Sequence, residues 1–169
     1  MTTIHPIYRT HHGLTDSALE VLTLGQHAIL GTENPDGSVH VTPTMYLFDE
    51  GRIYIETAVA TRKARNVGAR PRATVLVQDL RANGEAWVSG TGPAEILHGD
   101  HAQHLGRRIR GRYLTETGEV QLGTVMAIYD DVVVAVNPDR WMAWDMTAFN
   151  TTLAEHGLSL DHAQAWFRS

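Results

Sequence analysis

Cysteine is absent from the 169 residues. That removes disulfides, thiolate metal ligands and cysteine nucleophiles, and it fits a cytoplasmic protein. Lysine is nearly absent too: Lys63 is the single lysine among 14 basic residues, the rest being arginine. No apolar run approaches the roughly 18 residues that a membrane-spanning helix needs, and Met1-Thr2-Thr3-Ile4-His5-Pro6 has no signal-peptide apolar region. Neither secretion nor membrane insertion is expected. Positive charge is in deficit overall, at −5 net, which argues against a nucleic-acid binder working through a general basic surface. Internal repeats, linkers and low-complexity tracts are missing as well. What is present, 43% hydrophobic and 20% charged residues, makes one ordinary globular domain over residues 1–169, with its core in about 20–146 and a tail from 150 onward.

Taken in order, Thr15-Asp16-Ser17 precedes apolar residues at helical spacing through Leu24, which predicts a short helix. His27 to Thr32 reads as a strand, Pro35-Asp36-Gly37 as a turn, and Ser38 to Phe48 as a long second strand of a hairpin. In that strand Val39, Val41, Met45 and Leu47 alternate with His40, Thr42, Thr44 and Tyr46. The apolar set is expected in the core and the polar set along something wetter. Pro43 demands a bulge or a free edge. Asp49-Glu50-Gly51 turns the chain into a third strand, Arg52 to Thr57, and Ala73 to Asp79 forms a fourth. A turn at Asn83-Gly84 leads to a fifth, Glu85 to Leu97, with a bulge or barrel corner at Gly90-Thr91-Gly92-Pro93. A helix is expected from Asp100 to about Arg112, then a patternless stretch to Tyr129, a strand at Asp131 to Val136, a further extended piece at Arg140 to Asp145, and a small tail helix around Asp161 to Phe167. Hairpin-linked strands with peripheral helices indicate a mainly β, antiparallel barrel.

The most informative stretch is Glu56 to Asn66, where a strand runs out and a helix begins. Thr61 has the character of an N-cap, which puts Arg62, Lys63 and Arg65 at the positive end of the helix dipole. Each cation there costs about 0.3–1 kcal/mol. Such an arrangement is poor for stability and good for a phosphate, on which amides, hydroxyl and ammonium can converge. A solvated helix face is the competing reading.

Other signals are weaker. His98, His101 and His104 are spaced along a helix without a metal-binding pattern. Gly90 and Gly92 are followed by Glu95 where a dinucleotide fingerprint needs its third glycine. Trp87, beside Val88, is expected in the core. No serine or histidine stands in a nucleophile-elbow context, so a hydrolase is not indicated.

The succession of Pro-Asp-Gly turn, Val41-Thr42-Pro43, Ile53-Tyr54-Ile55-Glu56-Thr57, Thr61-Arg62-Lys63-Ala64-Arg65-Asn66-Val67 and Pro71-Arg72-Ala73-Thr74-Val75 resembles the pyridoxamine 5′-phosphate oxidase-like split-barrel flavin and deazaflavin oxidoreductases over about residues 20–97. Lys63 to Val67 followed by Arg70 to Ala73 looks most like the branch that uses the deazaflavin coenzyme F420, with FMN as the alternative. The resemblance implies a six-stranded antiparallel split barrel of the FMN-binding type, a homodimer with cofactor sites at its interface, and a small-molecule substrate, with no nucleic-acid or membrane partner. It places Thr61, Arg62, Lys63 and Asn66 around the cofactor phosphate and Thr42, Pro43, Thr44, Glu56 and Thr57 beside the ring, and it offers Arg140, Trp141 or Trp144 as the residue reaching over from the last strands, Trp144 being the one carried forward. A catalytic acid or base is not required, because the cofactor carries the hydride chemistry. Tyr46 and His40 are candidates for orienting or protonating a substrate. A non-catalytic flavin, haem or tetrapyrrole binder, with His27 or His40 as ligand, is the reading from a different class.

Overall fold

A computed structural model describes residues 9–11, 14–24, 27–79 and 86–158. The expected Asn83-Gly84 turn and the helix at 161–167 lie outside the described residues. The elements are β1 (Arg9–His11), α1 (Asp16–Thr23), β2 (Ala28–Glu33), β3 (Val39–Thr44), β4 (Leu47–Asp49), β5 (Arg52–Ala58), α2 (Arg62–Ala69), β6 (Arg72–Asp79), β7 (Ala86–Leu97), α3 (Gly99–Tyr113), α4 (Glu116–Ile128), β8 (Asp131–Val136), β9 (Arg140–Asp145) and α5 (Met146–Glu155).

All strand pairs are antiparallel. The order β3-β2-β6-β7-β8-β5-β4, with β9 pairing both β7 and β1, curls into a half-barrel. β7 belongs to both halves. Its first part, Ala86 to Thr91, pairs with β9, and its last part, Ala94 to Leu97, pairs with β8. The change of partner falls at Gly92-Pro93, so the barrel corner expected there is present, although β7 runs through it unbroken. Glycine is required because the chain beyond β8 lies directly on the strand. A Cβ on Gly90 would stand 2.6 Å from the Trp141 ring, and one on Gly92 would fall on the Asn137 carbonyl and 2.6 Å from Pro138.

The barrel interior collects Leu30, Ile53, Ile55, Val75, Val77, Val88, Val134, Val136 and Trp141, and α1 closes it with Ala18, Val21 and Leu22. α1 is capped by Thr15, whose hydroxyl accepts from the Ala18 amide at 3.3 Å. Its last turn has no basic residue of its own. Instead Tyr46 Oη donates to the Leu22 carbonyl at 2.7 Å and Arg112 Nη2 to the Thr23 carbonyl at 2.7 Å, satisfying ends that a helix leaves unpaired. A second apolar layer lies outside β4, β5 and β8, where Ala102, Leu105 and Ile109 of α3 cover Leu47, Tyr54, Val133 and Ala135.

Several expectations are corrected. The described residues form nine strands, not six, because the edges carry the short β1 and β4 and because β9 is a full strand. The long strand from Ser38 to Phe48 is two strands, β3 and β4, which join opposite ends of the strand order. The faces of β3 are inverted. Val39 and Val41 are 66% and 57% exposed, whereas Thr44 is buried and Tyr46, just beyond the strand, is fully enclosed. Alternation separates the two sets but does not say which faces inward. Tyr46 is therefore no pocket-face residue; burial raises its hydroxyl pKa well above the usual value. Pro43 does sit on an edge strand, paired with Ile29. The patternless stretch before Tyr129 is helix α4, and none of its residues is buried. Trp87 is half-buried on the outer face, and Trp141 takes the core position.

Candidate functional site

α2 leaves the end of β5 through a two-residue turn. Thr61 caps it in extended conformation, its hydroxyl accepting from the Ala64 amide at 3.4 Å. The same hydroxyl donates to the Ala58 carbonyl at 2.8 Å, so the 3.0 Å contact with Thr57 is one in which Thr57 donates. Thr57 is buried, and it fixes the cap to the strand. Among the described residues, the amides of Arg62 and Lys63 find no acceptor, and no carboxylate lies within ion-pair distance of Arg62, Lys63 or Arg65. Lys63 is half-buried, and desolvation holds its ammonium below the usual lysine value. A partly dehydrated, unpaired ammonium and two free amides in the first turn of one helix are groups that an anion would stabilise.

The remaining candidates separate. Asn66 is buried, and its amide nitrogen donates to Thr32 Oγ1 at 3.1 Å and Asn34 Oδ1 at 3.0 Å. Both amide hydrogens are committed, so its side chain ties α2 to β2. Glu56 lies on the face of β5 opposite Thr57, as the period of two requires. There it forms an ion pair with Arg110 of α3, both side chains being buried. Burial pushes the Glu56 carboxyl upward against the opposing pull of Arg110. Space for the pair comes from two glycines: a side chain on Gly106 would collide with the Glu56 carboxylate, and one on Gly123 would come within 3.2 Å of the Arg110 guanidinium. The sequence marks neither residue as its partner's, since 54 positions separate them.

On β3, Thr42 and Thr44 turn inward beside Leu30 and Ala28, their register partners on β2. Both hydroxyls are buried and without a hydrogen-bond partner, which in a protein interior costs about 1–3 kcal/mol each unless a further group supplies one. Pro43 points to the opposite, exposed face. Trp144 stands across from Trp87 on the outer face of the β7–β9 pair, where Thr74, Leu76, Gln78, Trp87, Ser89 and Met142 line a shallow cleft of about 550 Å³. Among the described residues no helix covers this outer face as α3 covers the other half, and Ile29, Val39, Val41 and Met142 are exposed on it. His40 is half-buried opposite Thr32, and exposed His27 stacks at 5.4 Å on Tyr113. Among the described residues no group of three or more His, Asp or Glu side chains could hold a metal ion, and no helix is long and apolar enough to cross a membrane.

An antiparallel half-barrel with an anion-ready helix at the end of one strand defines a cofactor-binding split barrel. The chain belongs to the pyridoxamine 5′-phosphate oxidase family, whose sequence pattern it matches over residues 14–145. Among solved structures it is similar to a conserved hypothetical protein from Mycobacterium tuberculosis, with 25% identity, a TM-score of 0.68, and 82% of this chain and 89% of that one covered. It is also similar to an F420 reductase, with 21% identity, a TM-score of 0.59 and coverage of 76% and 98%. A third is the haem storage protein HutZ from Vibrio cholerae, with 14% identity, a TM-score of 0.59 and coverage of 71% and 86%. A sequence search of curated proteins returns no match. The family is one of flavin-type cofactor binders, and the residues at α2 and β3 fit such a group: a phosphate would meet the unpaired cations, and a polar ring edge would meet the orphaned threonines.

Proposed function

We propose that the protein is an oxidoreductase that uses the deazaflavin coenzyme F420 to pass a hydride to a small or medium organic acceptor. The observation that carries this reading is the start of α2, where Thr61 caps the helix and, among the described residues, the amides of Arg62 and Lys63 have no acceptor and the Lys63 ammonium has no carboxylate within ion-pair distance. In this reading those groups hold the cofactor phosphate, while Thr42, Pro43, Thr44 and Thr57 flank the ring. Asn66 and Glu56 support from behind, Asn66 by anchoring α2 to β2 and Glu56 by anchoring α3 to β5. The cofactor, when bound, supplies the hydride; the chain orients it and shapes the space an acceptor enters. We further propose a cytoplasmic homodimer, its second copy covering the bare face of β3, β2, β6, β7 and β9. A partner's Trp144 would then be able to reach the ring from across the interface.

FMN is the second reading, because the α2 cluster meets a phosphate that both cofactors carry and because the family is defined by pyridoxamine 5′-phosphate oxidase. The two are separated by titrating the purified protein with F420 and with FMN and measuring both dissociation constants. Tight FMN and undetectable F420 binding sinks the deazaflavin assignment. A haem titration without a Soret shift excludes the non-catalytic tetrapyrrole binder.

A further inference from the structure

The cations of α2 do not converge on one point. At about 100° per residue, Lys63 lies on one flank of the helix, whereas Arg62, Arg65, Asn66 and Ala69 form a stripe on the other. This second flank faces the turn after β2. Together with Asn34, Pro35 and Arg70 it encloses a cleft of about 410 Å³, large enough for a small organic molecule.

The electrostatics of the cleft are unbalanced. Arg62 and Arg65 have no ion-pair partner among the described residues. Arg70 is held in place by its Nε, which donates to the Glu33 carbonyl at 3.0 Å, and its nearest carboxylate oxygen, Glu33 Oε1, is 3.8 Å from that same nitrogen. The other carboxylate on the adjoining turn, Asp36, accepts with Oδ1 from the Ser38 amide at 3.0 Å and hydroxyl at 2.6 Å; its charge is also attracted to Arg62, beyond ion-pair distance, so Arg65 is the least compensated of the three guanidinium groups. The base of the cleft is fixed by the Asn66–Asn34 and Asn34–Ser38 hydrogen bonds, each 3.0 Å. Arginine recognises planar oxyanions through paired N–H groups, and here guanidinium groups border one space whose wall is rigid.

We propose that this cleft is a second anion site, separate from the Lys63 cluster, for a small molecule carrying two or three carboxylate or phosphate groups. Arg65 and Arg70 provide its specificity, and Arg62 stands on the boundary between the two sites. The site needs no cofactor to exist, so its test does not depend on which cofactor the protein takes. Tricarballylate is titrated into the wild-type protein and into the Arg65→Gln, Arg65→Lys and Lys63→Ala variants by calorimetry at low salt, with thermal melts confirming that each variant folds.

The expected result is saturable binding whose tighter component is weakened at least tenfold by Arg65→Gln, weakened less by Arg65→Lys, and changed by less than twofold in Lys63→Ala, in which any weaker binding at the Lys63 cluster is lost. Equal losses in Lys63→Ala and Arg65→Gln would mean a single anion site and overturn the proposal. So would the absence of saturable binding to the wild-type protein. Inorganic phosphate run in parallel should bind more weakly than tricarballylate; the reverse order overturns the assignment to a multiply charged ligand.

Discussion

The two halves of the barrel treat their outer faces in opposite ways. Outside β4, β5 and β8, helix α3 buries an apolar layer and shuts Glu56 and Arg110 in with it. Outside β3, β2, β6, β7 and β9 Val39, Val41 and Met142 are exposed, and nothing among the described residues lies over them. Charge follows the same division of labour. Arg110 has a carboxylate and two glycines that clear room for it, while among the described residues Arg62, Lys63 and Arg65 at the barrel end have no carboxylate within ion-pair distance. A charge that the fold completes by itself belongs to stability. One left incomplete at energetic cost is where the proposed cofactor would add stability that the chain lacks by itself.

The contrast can be broken most forcefully on the covered side. Arg110→Ala leaves the Glu56 carboxylate buried and alone, and should cost about 3–5 kcal/mol of unfolding free energy in urea titrations; replacing the pair together, Glu56→Leu with Arg110→Met, should recover most of that loss. Next in size, Lys63→Ala should weaken cofactor binding by about 1.5–3 kcal/mol with no loss of stability. An unchanged dissociation constant would remove Lys63 from the site. On the bare side, Val41→Glu should leave the monomer's melting behaviour within about 0.5 kcal/mol and shift the population to monomer in light scattering; an unaltered mass would mean that this face is not where a second copy sits.

The smallest effect concerns pH. Desolvation lowers the Lys63 pKa in the folded chain, so between that lowered value and the ordinary lysine value the unfolded chain binds more protons, and stability rises with pH across that window. Cofactor affinity should move the other way, falling as the ammonium is lost. Lys63→Arg, which stays charged, should flatten the affinity profile.

What the sequence revealed was mostly local. The Thr61 cap, the Pro35-Asp36-Gly37 turn and the place of the cations in the first turns of α2 each depend on neighbours within a few residues, and each of these positions stands as read. The inward turn of Thr42 and Thr44 was hidden, because period-two alternation is symmetric between faces and the usual tie-breaker, valine inward, fails on a strand whose outer face is bare. Pro43 shares that outer face with the valines and was the available warning. The Glu56–Arg110 pair was invisible across its sequence separation, although glycines inside two helices, Gly106 and Gly123, marked the crowding. In the same way Gly90 and Gly92 were read as a barrel corner, without a sign that Trp141 lies on the first and the Asn137–Pro138 backbone on the second. α4 escaped because its apolar residues do not gather on one side.

Pro43 has one more consequence. β3 ends the sheet, and an exposed end with free amides invites another chain to extend the ladder. A proline in the middle of that strand withholds a donor where an incoming strand would need one. Edge-to-edge growth through β3, which would propagate without limit into fibres, is thereby disfavoured, and the proposed second copy is left the open face rather than the edge.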